Sequence, residues 1–200
     1  MKILHIISSP RGEASQSIQL GEAIIKKLLV KHKEASVKVQ NLTSGSLPYL
    51  DGSHIQAFNT PPEVRSEQQL EAIQPSDILI AELLEADIVV IGAPMYNFGI
   101  PAVLKSWIDH IARAGVAFIY TANGPVGLIQ GKKVFLAMAT GGVYSEGDNK
   151  SIDFIEPYLR TSLGFVGMTD VTAFRIEGVV ISALKDKAME VALGKLSVLD

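Results

Sequence analysis

The stretch "DIVVIGAPMYNFGIP", Asp87 to Pro101, decides how the rest of the chain is read. Its first half is an unbroken apolar run rich in valine and isoleucine, the composition of a strand covered on both faces. Its second half runs into Met95, Tyr96, Asn97 and Phe98. Turn chemistry at the end of a strand favours Gly, Asp, Asn or Ser instead. A strand that ends in a thioether and two aromatic rings has a flat surface to offer. Pro101 then stands where the first residue of a helix is expected.

Working outward, four more short β-rich runs flank this one: "KILHII" (2–7), "SVKVQNL" (36–42), "KVFLAMA" (133–139) and "DVTAFRI" (170–176). Helix-period segments lie between them, over 16–33, 66–85, 101–113, 151–163 and 183–196. The second is expected to break at Pro75, and the last is weakened by Gly194. Strands alternating with helices predict a parallel sheet wrapped on both faces, an α/β fold. No repeat, low-complexity tract or linker divides residues 1–200, so a single domain is expected. Two segments exceed the rhythm, 43–63 and 117–132, and long loops in compact domains are usually functional or interface-forming. Asn123-Gly124-Pro125 makes the second a small hairpin.

Composition narrows the function. The net charge of -3 and the sequence pI of about 5.8 give no basic surface for nucleic acid and no basic patch for a membrane. The absence of cysteine removes disulfides, thiolate catalysis and cysteine-ligated metal centres, and it suits a reducing cytoplasm. "MKILHII" is too short for a secretory h-region, and no run approaches the ~18 apolar residues of a membrane span. A cytoplasmic, soluble protein is expected.

In an open α/β sheet, ligands bind beyond the carboxyl ends of the strands, where the strand order reverses. Three loops should meet there: "SSPRGEASQS" (8–17), "APMYNFGIP" (93–101) and "TGGVYSEG" (140–147). The first runs into a helix at Ser15-Gln16-Ser17, a natural anion site to which Ser9, Ser15 and Ser17 add hydroxyls. Ser15 as a plain N-cap is an equally good reading. With neither G-x-G-x-x-G nor a Walker lysine, the loop suits a phosphate monoester better than a dinucleotide. The second loop offers the ring faces of Tyr96 and Phe98, the polarizable Met95 and the donors and acceptors of Asn97. In the third, Gly141-Gly142 lets backbone approach a ring closely. Together they describe a phosphate holder beside a slot for a planar polar ring.

These residues resemble the FMN-dependent NADH:quinone oxidoreductase and azoreductase family. The likeness is carried by the three loops, by "KSWIDHIARAGVAFIYTANGPVGLIQGKKV" (105–134) and by "EPYLRTSLGFVGMTDV" (156–171), and it covers almost the whole chain. It implies a flavodoxin-like three-layer sandwich whose five-stranded parallel sheet has the order 2-1-3-4-5, with helices on both faces. It implies FMN contacts from Ser9, Ser15, Gln16, Ser17, Met95, Tyr96, Asn97, Phe98, Ala139, Thr140, Gly141 and Gly142. Tyr120 matches an aromatic that relatives place on the substrate side, across a homodimer interface. Thr140 stands where relatives commonly carry a basic residue, and Ser162 where some carry an aromatic.

The resemblance further implies a ping-pong reductase, in which NADH or NADPH gives hydride to FMN and a quinone or azo compound then takes it. The cofactor carries the difficult chemistry, so no catalytic side chain is required. His5, His32, His54 and His110 are scattered without metal-ligand spacing, and His110 reads as a surface or capping residue. An electron carrier of the flavodoxin type, a flavin-free module on the same fold and a reductase of free flavin or nitro compounds remain alternatives at this point.

Overall fold

The computed structural model describes residues 1–45 and 47–199. Its strands are β1 (Lys2–Ile7), β2 (Ser36–Asn41), β3 (Ile88–Pro94), β4 (Phe118–Thr121), β5 (Gly124–Gly127), β6 (Lys133–Ala139) and β7 (Asp170–Ile176). All but β4 and β5 join one parallel sheet in the order β2-β1-β3-β6-β7. Numbered among themselves, these five strands read 2-1-3-4-5, the expected flavodoxin-like order. The helices are α1 (Gln16–Lys31), α2 (Gly52–Asn59), α3 (Glu67–Glu85), α4 (Ala102–Ile111), α5 (Glu156–Phe165) and α6 (Ala188–Gly194).

The pleat of β3 sorts its side chains into two cores, as a period of two requires. Val89, Ile91 and Ala93 pack with Leu79, Leu83, Leu104, Trp107 and Leu159, under α3, α4 and α5. Ile88 and Val90 face the other way, onto Leu20, Ile24, Ala188 and Ala192 of α1 and α6. Every residue of β3 is buried, which is why its sequence is an apolar run and not an alternation.

Several expectations are corrected. Pro75 does not break its helix: α3 is continuous from Glu67 to Glu85. A capping box of Ser66 and Gln69 starts the helix, and burial of Ile73, Leu79, Ile80 and Leu83 outweighs the cost of an internal proline, about 3 kcal/mol. The 43–63 segment is not mere loop, because Asp51 caps α2 within it and His54 completes the capping box. The helix expected at 151–163 starts later, at Glu156, after a 3-10 turn over Asp148–Ile152. The last helix is shorter than 183–196, with α6 ending at Gly194.

His110 is neither a surface nor a capping residue. Its side chain is wholly buried, with Nε2 2.9 Å from the Pro48 carbonyl and its ring centroid 5.3 Å from that of His54. Burial lowers its pKa. Two of the four histidines therefore meet, brought together when the inserted segment folds back on α4.

His5 is the buried titratable group of the sheet. It is 2% exposed, its Nε2 has no hydrogen-bond partner, and a Cβ on Gly21 would lie 2.7 Å from that nitrogen. Helix α1 thus lies directly against the imidazole. Desolvation pushes its pKa down from 6.5 to about 4. The unfolded chain therefore takes up this proton first as the pH falls. The contribution to stability is complete above pH 6.5 and is lost as the pH drops towards 4. Urea titrations at pH 7.5 and pH 4 should show His5→Leu losing about 3 kcal/mol less than the parent across that interval. Equal losses would mean that the imidazole is not the acid-sensitive group.

Candidate functional site

The site is built at the carboxyl end of the sheet. The chain leaves β1 towards β2 on one side and returns to β3 on the other, so a crevice opens between the loops that follow β1 and β3. Gly92 lies between them: a Cβ on it would be in contact with the Ile6 carbonyl oxygen at 3.4 Å and that of Ser17 at 3.5 Å. Ser8 Oγ donates to the Gly92 carbonyl at 2.6 Å and ties the first loop to β3.

At the start of α1, Ser15 occupies the N-cap position but its side chain makes no capping bond. Its hydroxyl instead lies 3.1 Å from Ser17 Oγ, and the two residues are 3% and 0% exposed. Ser9 is equally buried, its Oγ accepting from the Arg11 N–H at 3.4 Å. Gln16 is half-buried beside them. Paired hydroxyls on a helix start with no side-chain cap can serve as an anion cradle, since the first backbone N–H groups have no partner within the helix. The plain N-cap reading of Ser15 is set aside by this geometry.

The Met95–Phe98 segment is a tight turn. Tyr96 N–H donates to the Gly99 carbonyl and Gly99 N–H to the Tyr96 carbonyl, both at 3.0 Å. Asn97 and Phe98 between them have φ of 49° and 69°, as a type I′ turn demands of both central residues. Asparagine tolerates that region, whereas a bulky residue there is an outlier. Phe98 is also 48% exposed and Tyr96 39%, so neither is spent on the core. Met95 packs half-buried against it, with its N–H on the Ala139 carbonyl at 2.9 Å.

After β6, Thr140 turns inward. It is 2% exposed, its Oγ1 donates to the Gly142 carbonyl at 2.8 Å, and its N–H reaches the Ile176 carbonyl at 2.9 Å. It stiffens the Gly141-Gly142 backbone and brings no charge to it. The Tyr144 ring lies against Gly142, where a Cβ would come within 3.2 Å of Tyr144 Cε2. Beside the turn opens a largely apolar cavity of about 730 Å³, lined by Tyr96, Asn97, Ile100, Phe154 and Tyr158 among others.

The structure thus gathers the three loops at one end of the sheet. Tyr120 stands apart from them, on the β4–β5 hairpin, 73% exposed and edge-on to Phe118. The hairpin packs on the end of α5, where Gly127 sits so close to Gly167 that a Cβ on Gly127 would overlap the Gly167 nitrogen. Ser162 is half-buried on α5. Sequence reasoning missed Tyr144 and Phe154, which stand on the borders of the site. It also missed the ion cluster of Asp153, Glu156, Arg175 and Glu177 behind them. The one available signal was the density of charge and aromatics in 144–156, and nothing local says which of those residues pair.

These features fit an elongated ligand with an anionic tail and a flat ring system. A family model described as flavodoxin-like fold matches residues 1–198, and that is the class the sheet order and crevice define. The chain is 48% identical over 196 residues to the FMN-dependent NADH:quinone oxidoreductase of Herminiimonas arsenicoxydans, which spans 98% of this chain and 95% of that one. It is 51% identical over 176 residues to FMN-dependent NADH:quinone oxidoreductase 6 of Burkholderia lata, at 88% and 87% coverage. The crystal structure of an azoreductase from Bacillus anthracis str. Sterne superposes with a TM-score of 0.92 at 33% identity, over 100% of this chain and 98% of that one. The chain belongs to this family of FMN-dependent NADH:quinone oxidoreductases and azoreductases.

The turn itself can be tested without any ligand. A β-branched residue in the left-handed region is strongly disfavoured, so Phe98→Val should lower the unfolding free energy by about 1–3 kcal/mol despite the exposure of the site. Phe98→Gly should cost less than 1 kcal/mol or so, its easier backbone being offset by greater freedom when unfolded. Denaturant midpoints that rank the two variants the other way would contradict the positive φ at Phe98.

Proposed function

We propose that this chain is an FMN-dependent oxidoreductase that takes two electrons from NADH or NADPH and delivers them to quinones and azo compounds. The observation that carries the reading is the pairing, at one end of one sheet, of a buried serine cradle with an exposed, strained aromatic turn. In this reading Ser9, Ser15, Gln16 and Ser17 hold the FMN phosphate. Met95, Tyr96, Asn97 and Phe98 bear against the ring system, and Ala139, Thr140, Gly141 and Gly142 line its edge. Membership of the family makes FMN the cofactor and NADH a donor.

FMN held there would supply the redox chemistry, two-electron exchange between a nicotinamide and an acceptor. The protein's part is binding, orientation and electrostatics, and no side chain need act as nucleophile or base. The Ser15–Ser17 pair and the positive end of α1 neutralise the anionic tail. The type I′ turn keeps Tyr96 and Phe98 presented without conformational search, which reduces the entropy lost on binding. Backbone at Gly141–Gly142, stiffened by the Thr140 hydroxyl, would offer preorganised N–H groups to the electron-rich edge of the ring. Donor and acceptor occupy the same cavity in turn, so turnover is ping-pong.

The chain works as a homodimer in this reading. Tyr120, Ile119, Val126, Phe98 and Phe154 are all at least 40% exposed. A second copy covers them and brings Tyr120 to the substrate side of the partner's site. The whole of residues 1–200 acts as one FMN-binding domain.

The purified protein should show flavin absorption that bleaches on anaerobic addition of NADH and returns with menadione, with parallel double-reciprocal plots. A colourless protein that does not retain added FMN would sink the reading. Ser17→Ala combined with Asn97→Gly, which keeps the turn's backbone, should weaken FMN retention about tenfold or more while leaving the far-UV spectrum unchanged.

A further inference from the structure

The ion cluster behind the site touches both of the loops that frame it. Arg175 lies on β7, one residue before Ile176, whose carbonyl receives the Thr140 N–H. Its side chain is 12% exposed. Nη2 donates to Asp153 Oδ2 and to Glu156 Oε2, each at 2.5 Å, while Nη1 is buried without a hydrogen-bond partner, 3.8 Å from Glu177 Oε1. Each of two of these carboxylates then grips backbone at the site. Glu177 Oε1 accepts from the Tyr144 and Ser145 N–H groups at 2.7 and 2.9 Å, which holds the Tyr144 ring against Gly142. Asp153 Oδ1 accepts from the Ile155 N–H at 3.0 Å, and the intervening Phe154 N–H donates to the Phe98 carbonyl at 3.2 Å.

We propose that Arg175 is a positioning residue for the site, setting through Glu177 and Asp153 how far the Gly141–Ser145 loop stands from the Tyr96–Gly99 turn. The inference rests on the FMN-binding reading above, because that distance is the width of the slot offered to the ring. Electrostatics gives it force. Three carboxylates crowd one guanidinium, and Arg160 offsets only Glu156, at 2.8 Å. Burial raises the Glu156 pKa, but hydrogen bonds from Arg175 and then Arg160 outweigh that and leave it below its ordinary value. Without Arg175, the carboxylates of Asp153 and Glu177, 5% and 12% exposed, lose the guanidinium they share, and their repulsion drives the two loops apart. Glu156 provides the internal control. It shares the same guanidinium but holds Arg160, on its own helix, and no backbone of either loop.

Three measurements on Arg175→Gln, Glu156→Gln and the parent separate positioning from mere stabilisation, all made well below each melting temperature. Fluorescence titration of apoprotein with FMN should give a Kd raised about tenfold in Arg175→Gln and changed less than about twofold in Glu156→Gln. The visible circular dichroism of the bound flavin should change in the first variant only. Hydrogen exchange in the apoproteins should quicken at the Tyr144, Ser145 and Phe154 amides of Arg175→Gln and stay slow in Glu156→Gln. If Arg175→Gln does not fold, Arg175→Lys keeps the charge but loses the planar fork, and it should move all three readouts in the same direction by less. An unchanged Kd in the Arg175 variants, or an equal rise in Glu156→Gln, overturns the proposal. Should the parent itself fail to bind FMN, the functional reading falls separately, and the exchange rates alone decide whether Arg175 holds the two loops.

Discussion

The approach of the first turn of α1 to Gly92 is the contact on which the site depends. A parallel sheet whose order reverses between β1 and β3 opens a crevice at that point, but its width is set by what lines it. With no side chain at Gly92, the Ser17 backbone comes into van der Waals range of β3 and Ser8 bonds to the same residue's carbonyl. The buried serines are thereby placed beside β3, the strand that leads into Met95. A methyl group at Gly92 would already fill the space between β1 and the first turn of α1, at contact distance from both carbonyl oxygens.

Two kinds of backbone meet there, and they do different work. The α1 end is cheap in energy, because a helix start has unpaired N–H groups wherever it lies and only awaits an acceptor. The Tyr96–Gly99 turn is costly, since Phe98 is held with φ of 69° and kept exposed as well. Such a conformation persists only where the surroundings over-determine it. The paired bonds of Tyr96 with Gly99, the Met95 bond to Ala139 and the Phe154 bond to Phe98 do so here. Rigid elements on every side and a strained residue at the centre would suit a binding surface formed before its ligand arrives.

Much of this was legible in the chain. The apolar run of 87–92 announces a doubly covered strand, and β3 is buried throughout. The hairpin expected around Asn123-Gly124-Pro125 forms, although its turn lies at Ala122-Asn123, and Gly124 and Pro125 already belong to β5. Met95–Phe98 stands out because a thioether and two aromatics are unusual in a plain turn, whereas Ser15-Gln16-Ser17 reads equally well as a plain N-cap until the structure is seen. Other features were hidden for physical reasons. Pro75 carries a strong local penalty that tertiary burial overrides, and no local pattern reports the balance. His110 is polar and sits near a helix end, yet contacts made with Pro48 and His54, more than fifty residues away, bury it completely.

By itself, then, the order of residues determined what is local or periodic. That covers which segments are strands, which faces are apolar, that the sheet is parallel, and which strand ends carry serines, aromatics and glycines. Tertiary structure alone decided how those ends combine. It decided that Ser15 and Ser17 face each other and not their own helix, that Thr140 points inward, and that one arginine on β7 reaches acids at 153, 156 and 177. Pairing among charged side chains depends on distances set by packing over the whole sheet, and no spacing along the chain encodes it.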